Sequence, residues 1–305
     1  MADRRARLAE FGRRYTGRSR TRCTCRACRQ IMSKRRELEG HIDSLADIGE
    51  LLGAMKNLAL VESRRINTFI DAQRAAARIV ESTLADFIAD YSAHIAPPAT
   101  HGEVLCLIGS ERGFCGDLNQ RLIAESKAAT AGAQIVLVGS RLADAWAHDF
   151  AASIPGAGFG DEVQNVLANL VATLTPLLQG SRQFGPPALS LLYLGEAGTV
   201  HHSLLPAPEP RRGGPRRSHA LQLTLSPQAF HAALIDQFLE TALSGALYDA
   251  LLHENQLRLE HMEQAGHRID EQLEDLGRRS NRARQEEITE EIEIILLSSL
   301  GGSDT

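Results

Sequence analysis

Two stretches of the chain repeat apolar residues three and four positions apart, and they lie near its opposite ends. In the first, Leu45, Ile48, Leu52, Met55, Ala59, Ile66, Phe69, Ala76 and Val80 fall on one face, interrupted by Glu62 and Gln73. In the second, Leu252, Leu259, Met262, Ile269, Leu273 and Leu276 do the same, with Asn255, Gly266, Ser280 and Ala283 in the remaining slots. This is the spacing of helices that pack along a seam. At about 1.5 Å of rise per residue, a helix from Ser33 to Asp90 would span roughly 85 Å and one from Pro227 to Ser298 roughly 105 Å. One globular domain cannot cover such lengths, so part of each helix packs on the other or on a second protein.

Between them the pattern changes. Pro97-Pro98 ends the helical periodicity, and Val104 to Ile108, Ile135 to Val138 and Leu189 to Leu194 are short, nearly continuous apolar runs. Such runs read as buried strands. Helical patterns over Leu118 to Ala131 and Asp161 to Leu178 separate them, the latter burying Val163, Val166, Leu167, Leu170, Val171 and Leu174. Strands alternating with helices predict a small α/β domain with largely parallel pairing. Thr199 to Leu205 and Leu221 to Leu225 are candidate edge strands. The expected domains are a leader without regular structure (1–31), an N-terminal helix (32–96), a globular part (97–226) with a basic loop at 208–218, and a C-terminal helix with a short tail (227–305).

The 305 residues carry a net charge of −5, which gives no general attraction to nucleic acid. Positive charge is local: about a dozen arginines precede Glu37, and Arg211-Arg212-Gly213-Gly214-Pro215-Arg216-Arg217 forms a second basic run. Neither has aromatic residues to stack on bases, so both read as a leader and a surface loop rather than nucleic-acid contacts. No apolar run reaches the roughly 18 residues that cross a bilayer. Five cysteines give no even disulfide framework. Cys23, Cys25 and Cys28 could offer three thiolates to a metal but lack a fourth ligand at ordinary spacing. Cys106 and Cys115 read as reduced structural thiols.

Chemistry is sparse. Gly109-Ser110-Glu111-Arg112-Gly113-Phe114-Cys115-Gly116-Asp117 follows a strand and opens a helix, where a phosphate cradle would sit. Its glycine spacing matches neither the dinucleotide fingerprint nor a P-loop, so it reads as a structural connection with Arg112, Gly113, Gly116 and Asn119 shaping the turn. His201-His202 has no carboxylate nearby in sequence. Glu286, Glu287, Glu290, Glu291 and Glu293 spread around a helix and read as a solvated or partner-facing surface. No catalytic set, metal site or cofactor is expected.

Three segments together resemble the gamma subunit of F-type ATP synthases. Gly53-Ala54-Met55-Lys56-Asn57-Leu58-Ala59 is similar to the family's A-M-K-M-V-A stretch. Ser110-Glu111-Arg112-Gly113-Phe114-Cys115-Gly116-Asp117-Leu118-Asn119 is similar to its S-x-R-G-L-C-G-G-L-N. Asn281-Arg282-Ala283-Arg284-Gln285-Glu286-Glu287-Ile288-Thr289-Glu290-Glu291 is similar to its N-K-A-R-Q-x-x-I-T-x-E. Their order and separation also agree, over about Ser33 to Gly301. Asp117 stands where the family has glycine, Asn57 and Leu58 replace M-V, and the leader and basic stretch are extra. These departures point to a divergent branch, such as an alternative sodium- or proton-translocating ATPase.

The resemblance implies α/β architecture with long terminal helices: an antiparallel coiled coil of the N- and C-terminal helices plus a small Rossmann-like α/β domain. It implies a non-catalytic rotor subunit of the central stalk, coupling proton or sodium transport to ATP synthesis or hydrolysis. Its expected partners are the alpha and beta subunits of the catalytic hexamer, the epsilon subunit and the membrane c-ring, with one copy per complex. The implied location is the cytoplasmic face of the bacterial inner membrane, as a peripheral protein. Carried over residue by residue, Arg284, Gln285 and Thr289 match positions touching the surrounding ring, Arg258 matches another such arginine, and Met55 and Lys56 match the helix section facing the beta subunit. The alternatives are a coiled-coil scaffold without rotary role, which leaves the C-terminal signature unexplained, and a small α/β enzyme with helical arms, which lacks a convergent catalytic set.

Overall fold

The computed structural model describes residues 26–91, 102–127, 129–130, 132–179, 187–207 and 222–300, with backbone alone for 26–34 and 297–300. The basic stretch 211–217, Pro97-Pro98, Cys23 and Cys25 lie outside the described residues. In chain order the elements are α1 (Arg26–Tyr91), β1 (Glu103–Ile108), α2 (Leu118–Ser126), β2 (Gln134–Val138), α3 (Ser140–Ala145), β3 (Ala152–Ile154), a 3-10 turn (Gly160–Glu162) running into α4 (Val163–Leu178), β4 (Ala188–Gly195), β5 (Gly198–Leu205) and α5 (Pro227–Leu300). Helix α1 therefore begins inside the stretch expected to lack regular structure; Arg26 to Ile31 contain neither glycine nor proline, so nothing local stops the helix there. No helix among the described residues is long and apolar enough to cross a membrane.

The chain divides into two compact units, one of residues up to Gly49 with those from Arg268 onward, the other of Glu50–His267. In the first, α1 and α5 run antiparallel. Arg35 Nη1 lies 3.2 Å from Glu287 Oε2, and at the other end a Cβ on Gly49 would stand 3.5 Å from Ile269 Cγ2. The stripe read on α5 holds here: Ile269, Leu273, Leu276, Ser280 and Ala283 are all withdrawn from solvent, Ala283 to 5% exposure. On α1 Leu45 is withdrawn from solvent as read, but at the following position the reading is one residue off. Gly49 faces the partner helix and Ile48 is exposed, because the missing side chain lets the two backbones approach.

The second unit repeats the antiparallel pairing. Lys56 meets Glu263, Arg74 meets Asp249, and the Phe87 ring packs 5.1 Å from Phe230. Ile66, Ile70, Ala77 and Leu84 face inward, while Phe69 and Ala76, expected inside, are exposed. The two helices cover one face of a five-stranded sheet of order β3-β2-β1-β4-β5, parallel except for the β4/β5 hairpin. Alternate residues of each strand enter separate cores. Val104, Cys106, Ile108, Val136, Val138 and Leu191 pack with α4 and with Ile66, Phe238 and Leu247 of the long helices. Leu105, Leu107, Leu137 and Leu192 pack with Leu118, Leu122, Leu142 and Trp146. Burial on both faces explains the unbroken apolar runs.

Three local expectations need correcting. Residues 222–225 form no strand; they lead into α5, where Ser226 accepts the Ala229 N–H at its hydroxyl and Pro227 takes the first helical position. Val171 is exposed because it sits at the margin of the α4 stripe. Helix α2 stops at Ser126, short of Ala131.

Cys106 is fully buried in β1, and burial pushes its thiol up to about 12; burial likewise raises Cys115, above all other influences on it. Thiolate is the reactive form. A thiolate-directed alkylating reagent at mildly alkaline pH is expected to leave both unmodified in the folded chain and to modify both after denaturation, read by peptide mass spectrometry. Native labelling of Cys106 would contradict its placement.

Candidate functional site

The loop leaving β1 is the centre of a polar knot. Asn119, in the first turn of α2, reaches back to it: its Oδ1 accepts the Ser110 N–H at 3.0 Å and its Nδ2 donates to Ser110 Oγ at 2.8 Å. Gly116 holds a left-handed φ of +64° and Phe114 one of +65°. The backbone therefore turns twice in a conformation that costs any residue but glycine about 1–2 kcal/mol. Gly113 has an ordinary backbone and open space around its Cα; what it contributes is its carbonyl.

Glu111 ties the ends of three strands together. Its carboxylate accepts the Ser140 N–H and hydroxyl, both at 2.8 Å, and the Gly156 N–H at 2.7 Å. Beside it the Arg112 guanidinium stacks 3.8 Å above the Phe159 ring. Glu62, taken from sequence as an interruption of the α1 stripe, is 5% exposed and accepts the Gly160 N–H at 2.6 Å. It belongs to the buried face because a backbone donor awaits it there.

Helix α5 completes the knot. Glu254, Asn255 and Arg258 are exposed by only 3%, 2% and 4%. The Glu254 carboxylate accepts the N–H groups of Arg112 at 3.1 Å and Glu111 at 3.3 Å, and a short bond from Arg258 Nη2. Arg258 also donates to Asn255 Oδ1 and, through Nε, to the Gly113 carbonyl at 3.2 Å. Burial pushes the Glu254 carboxyl above its ordinary value, while the Arg258 charge and the loop N–H groups pull against that rise. Next to the knot is a cavity of about 330 Å³ whose lining includes the apolar Met55, Leu58 and Phe114 and the polar Arg112, Asn255 and Arg258.

The candidate residues thus separate. Arg258, expected on the partner-facing surface, is inside with its guanidinium committed; an i,i+4 acid–base pair on a core-facing stripe is the signal that would have placed it there. Met55 lines the cavity. Lys56 is at the surface, its Nζ 2.7 Å from Glu263 Oε1, and that hydrogen bond lowers the Glu263 carboxyl. Arg284, Gln285 and Thr289 lie in the other unit, exposed on α5, with Thr289 Oγ1 donating to the Gln285 carbonyl at 2.9 Å. One turn on, Ile288 and Ile292 are about half exposed and four apart, an apolar row among the glutamates that the sequence reading passed over. Neither patch gathers a nucleophile, base and oxyanion donors. Among the described residues no group of three or more His, Cys, Asp or Glu could hold a metal.

A family model described as ATP synthase matches residues 34–297. The ATP synthase gamma chain of Desulforamulus reducens is 25% identical over 280 residues, which cover 87% of this chain and 98% of that protein. The gamma chain of Erythrobacter litoralis is 23% identical over 297 residues, with the same coverage of 87% and 98%. Among solved structures, the rotor of Euglena gracilis mitochondrial ATP synthase in rotational state 1 superposes with a TM-score of 0.54 at 13% identity, over 84% of this chain and 99% of that one. The central stalk and c-ring structure from Tetrahymena thermophila gives 0.52 at 15% identity, over 70% and 99%. At these identities the structural likeness speaks for the fold.

Proposed function

The chain belongs to the ATP synthase gamma-chain family, and we propose that it is the rotor of the central stalk, coupling proton or sodium flow through a membrane ring to ATP synthesis or hydrolysis in an alpha/beta hexamer. The observation that carries this reading is the family match running through both long helices and the α/β domain between them. The exposed row of Arg284, Gln285, Ile288 and Ile292 supports it. Arginine offers a planar fork of donors to carboxylates, glutamine directional hydrogen bonds, and the isoleucines apolar area, a mixture suited to a protein contact. Such a subunit makes and breaks no bonds. Its differing faces stabilise different conformations of otherwise identical neighbours, so turning it exchanges their affinities for nucleotide. On this reading one copy sits in each complex, with alpha and beta around α1 and α5, with epsilon and the c-ring as further partners, peripheral to the cytoplasmic face of a bacterial inner membrane.

The test is reconstitution with alpha and beta subunits. The wild-type chain is expected to co-purify with them and rotate during hydrolysis; failure to do so sinks the rotor reading. Arg284→Ala with Gln285→Ala is expected to weaken assembly by roughly tenfold or more, as loss of an arginine anchor and its hydrogen-bonding neighbour does at protein interfaces. Assembly and torque at wild-type levels in that variant would reject the contact while leaving the rotor role standing.

A further inference from the structure

The loop after β1 sits at the carboxyl end of a parallel strand and opens a helix, where α/β folds present free backbone N–H groups to anions. Two such groups, from Glu111 and Arg112, converge on one point, and the buried Arg258 guanidinium reaches it from α5. What lies there is a carboxylate of the same chain. We propose that the Glu111 and Arg112 N–H groups and the Arg258 guanidinium form an anion cradle whose resident ligand is the Glu254 side chain, and which takes up a free small carboxylate when that side chain is shortened.

Three observations carry this. The donors come from two parts of the chain more than 140 residues apart and meet on both oxygens of one carboxyl group, Oε1 facing Arg112 and Arg258 and Oε2 facing Glu111. Acid and base are each nearly sealed from water, so the pair is charge-balanced and removing one side leaves the other stranded. The neighbouring cavity, lined in part by Arg112, Asn255 and Arg258, is large enough to admit formate or acetate. The tethered anion thus fastens α5 to the loop where a free one would leave the helix unanchored. This concerns the internal build of the chain and stands apart from the rotor reading.

Glu254→Ala in the full chain is expected to lower the thermal unfolding midpoint and to speed hydrogen exchange at the Glu111 and Arg112 amides. Sodium formate should then raise the midpoint in a saturable way and slow those amides again, with no matching effect of sodium chloride at equal ionic strength and none on the wild-type midpoint. Glu254→Gln fills the cradle without the charge, so it should gain nothing from formate. If Glu254→Ala does not fold unaided, the same comparison is made on its refolding yield in formate and in chloride. No advantage of formate over chloride in Glu254→Ala, or an equal formate response in Glu254→Gln, overturns the proposal.

Discussion

Arg258→Met is expected to lower the unfolding free energy of the chain by about 3–5 kcal/mol, the cost of leaving a buried charge without its partner. Methionine keeps most of the volume, so the loss is electrostatic rather than a cavity. With the guanidinium gone, Glu254 keeps two backbone donors but loses the positive group bonded to it, and the Gly113 carbonyl and Asn255 Oδ1 lose their donor as well. The pH dependence follows from the direction of the Glu254 shift. Burial already raises this carboxyl in the folded state, and the Arg258 charge is the largest influence opposing the rise. Removing it raises the folded value further while the unfolded value stays ordinary. A carboxyl held above its unfolded value binds its proton more tightly when folded, so stability is greatest below the ordinary glutamate range and falls as pH climbs through the folded value. The deficit of Arg258→Met against wild type should therefore be smaller in acid, where only the two lost hydrogen bonds remain, and full near neutrality, measured by urea unfolding across that range. A deficit of equal size at every pH would show that the stranded charge is not its source.

Arg284→Ala is the natural comparison. Its side chain is exposed, and substitutions of that kind usually change stability by no more than about 0.5 kcal/mol. Two arginines that share a family resemblance thus have opposite settings, and only one is free to meet another protein. A loss of assembly in Arg284→Ala would report on contact, whereas a loss in Arg258→Met would follow from a damaged fold.

The parts of this structure legible in the sequence are those that local pattern determines. The apolar runs of β1, β2 and β4 are continuous because both faces of the sheet are covered, and the stripe on α5 is regular because its inward residues are mostly apolar. The α1 stripe misled at Ile48, Phe69 and Ala76. In each case the next residue faces inward, and at Gly49 the inward residue has no side chain to announce itself. Glu62 and Glu254 were missed for a different reason. A buried carboxylate is explained by its donors, and the Gly160, Glu111 and Arg112 N–H groups lie about a hundred residues or more away in sequence. Strand β3 and helix α3 were missed because three and six residues are too few to show a period. The candidate residues Arg284, Gln285 and Thr289, exposed on α5, came through the motif alone, since exposure on a helix carries no local signature of what it touches.

Gly139→Ala should be among the most damaging single changes available in the α/β domain. The residue joins β2 to α3 with φ 114° and ψ 123°, a conformation open in practice to glycine alone. A Cβ there would stand 2.8 Å from the carbonyl oxygens of both Gly109 and Ser110, which are backbone atoms and cannot swing aside. Those carbonyls are pinned in turn, for the Ser110 N–H, in the same peptide group as the Gly109 carbonyl, donates to Asn119 Oδ1 at 3.0 Å and the Arg141 N–H donates to Ser110 O at 3.2 Å. Backbone strain of about 1–3 kcal/mol adds to an overpacking cost of about 1–3 kcal/mol, so the total is of the order of several kcal/mol. Relief requires the β1 and β2 loops to part, which would pull Glu111 from the Ser140 and Gly156 N–H groups. Gly113→Ala is the control from the neighbouring loop: its backbone is ordinary and nothing lies within 4 Å of the added carbon, so it should unfold within about 0.5 kcal/mol of wild type. Urea unfolding of the two variants side by side decides the matter. Equal stabilities would mean that the β1 and β2 loops do not cross at the distance on which this account of the domain depends.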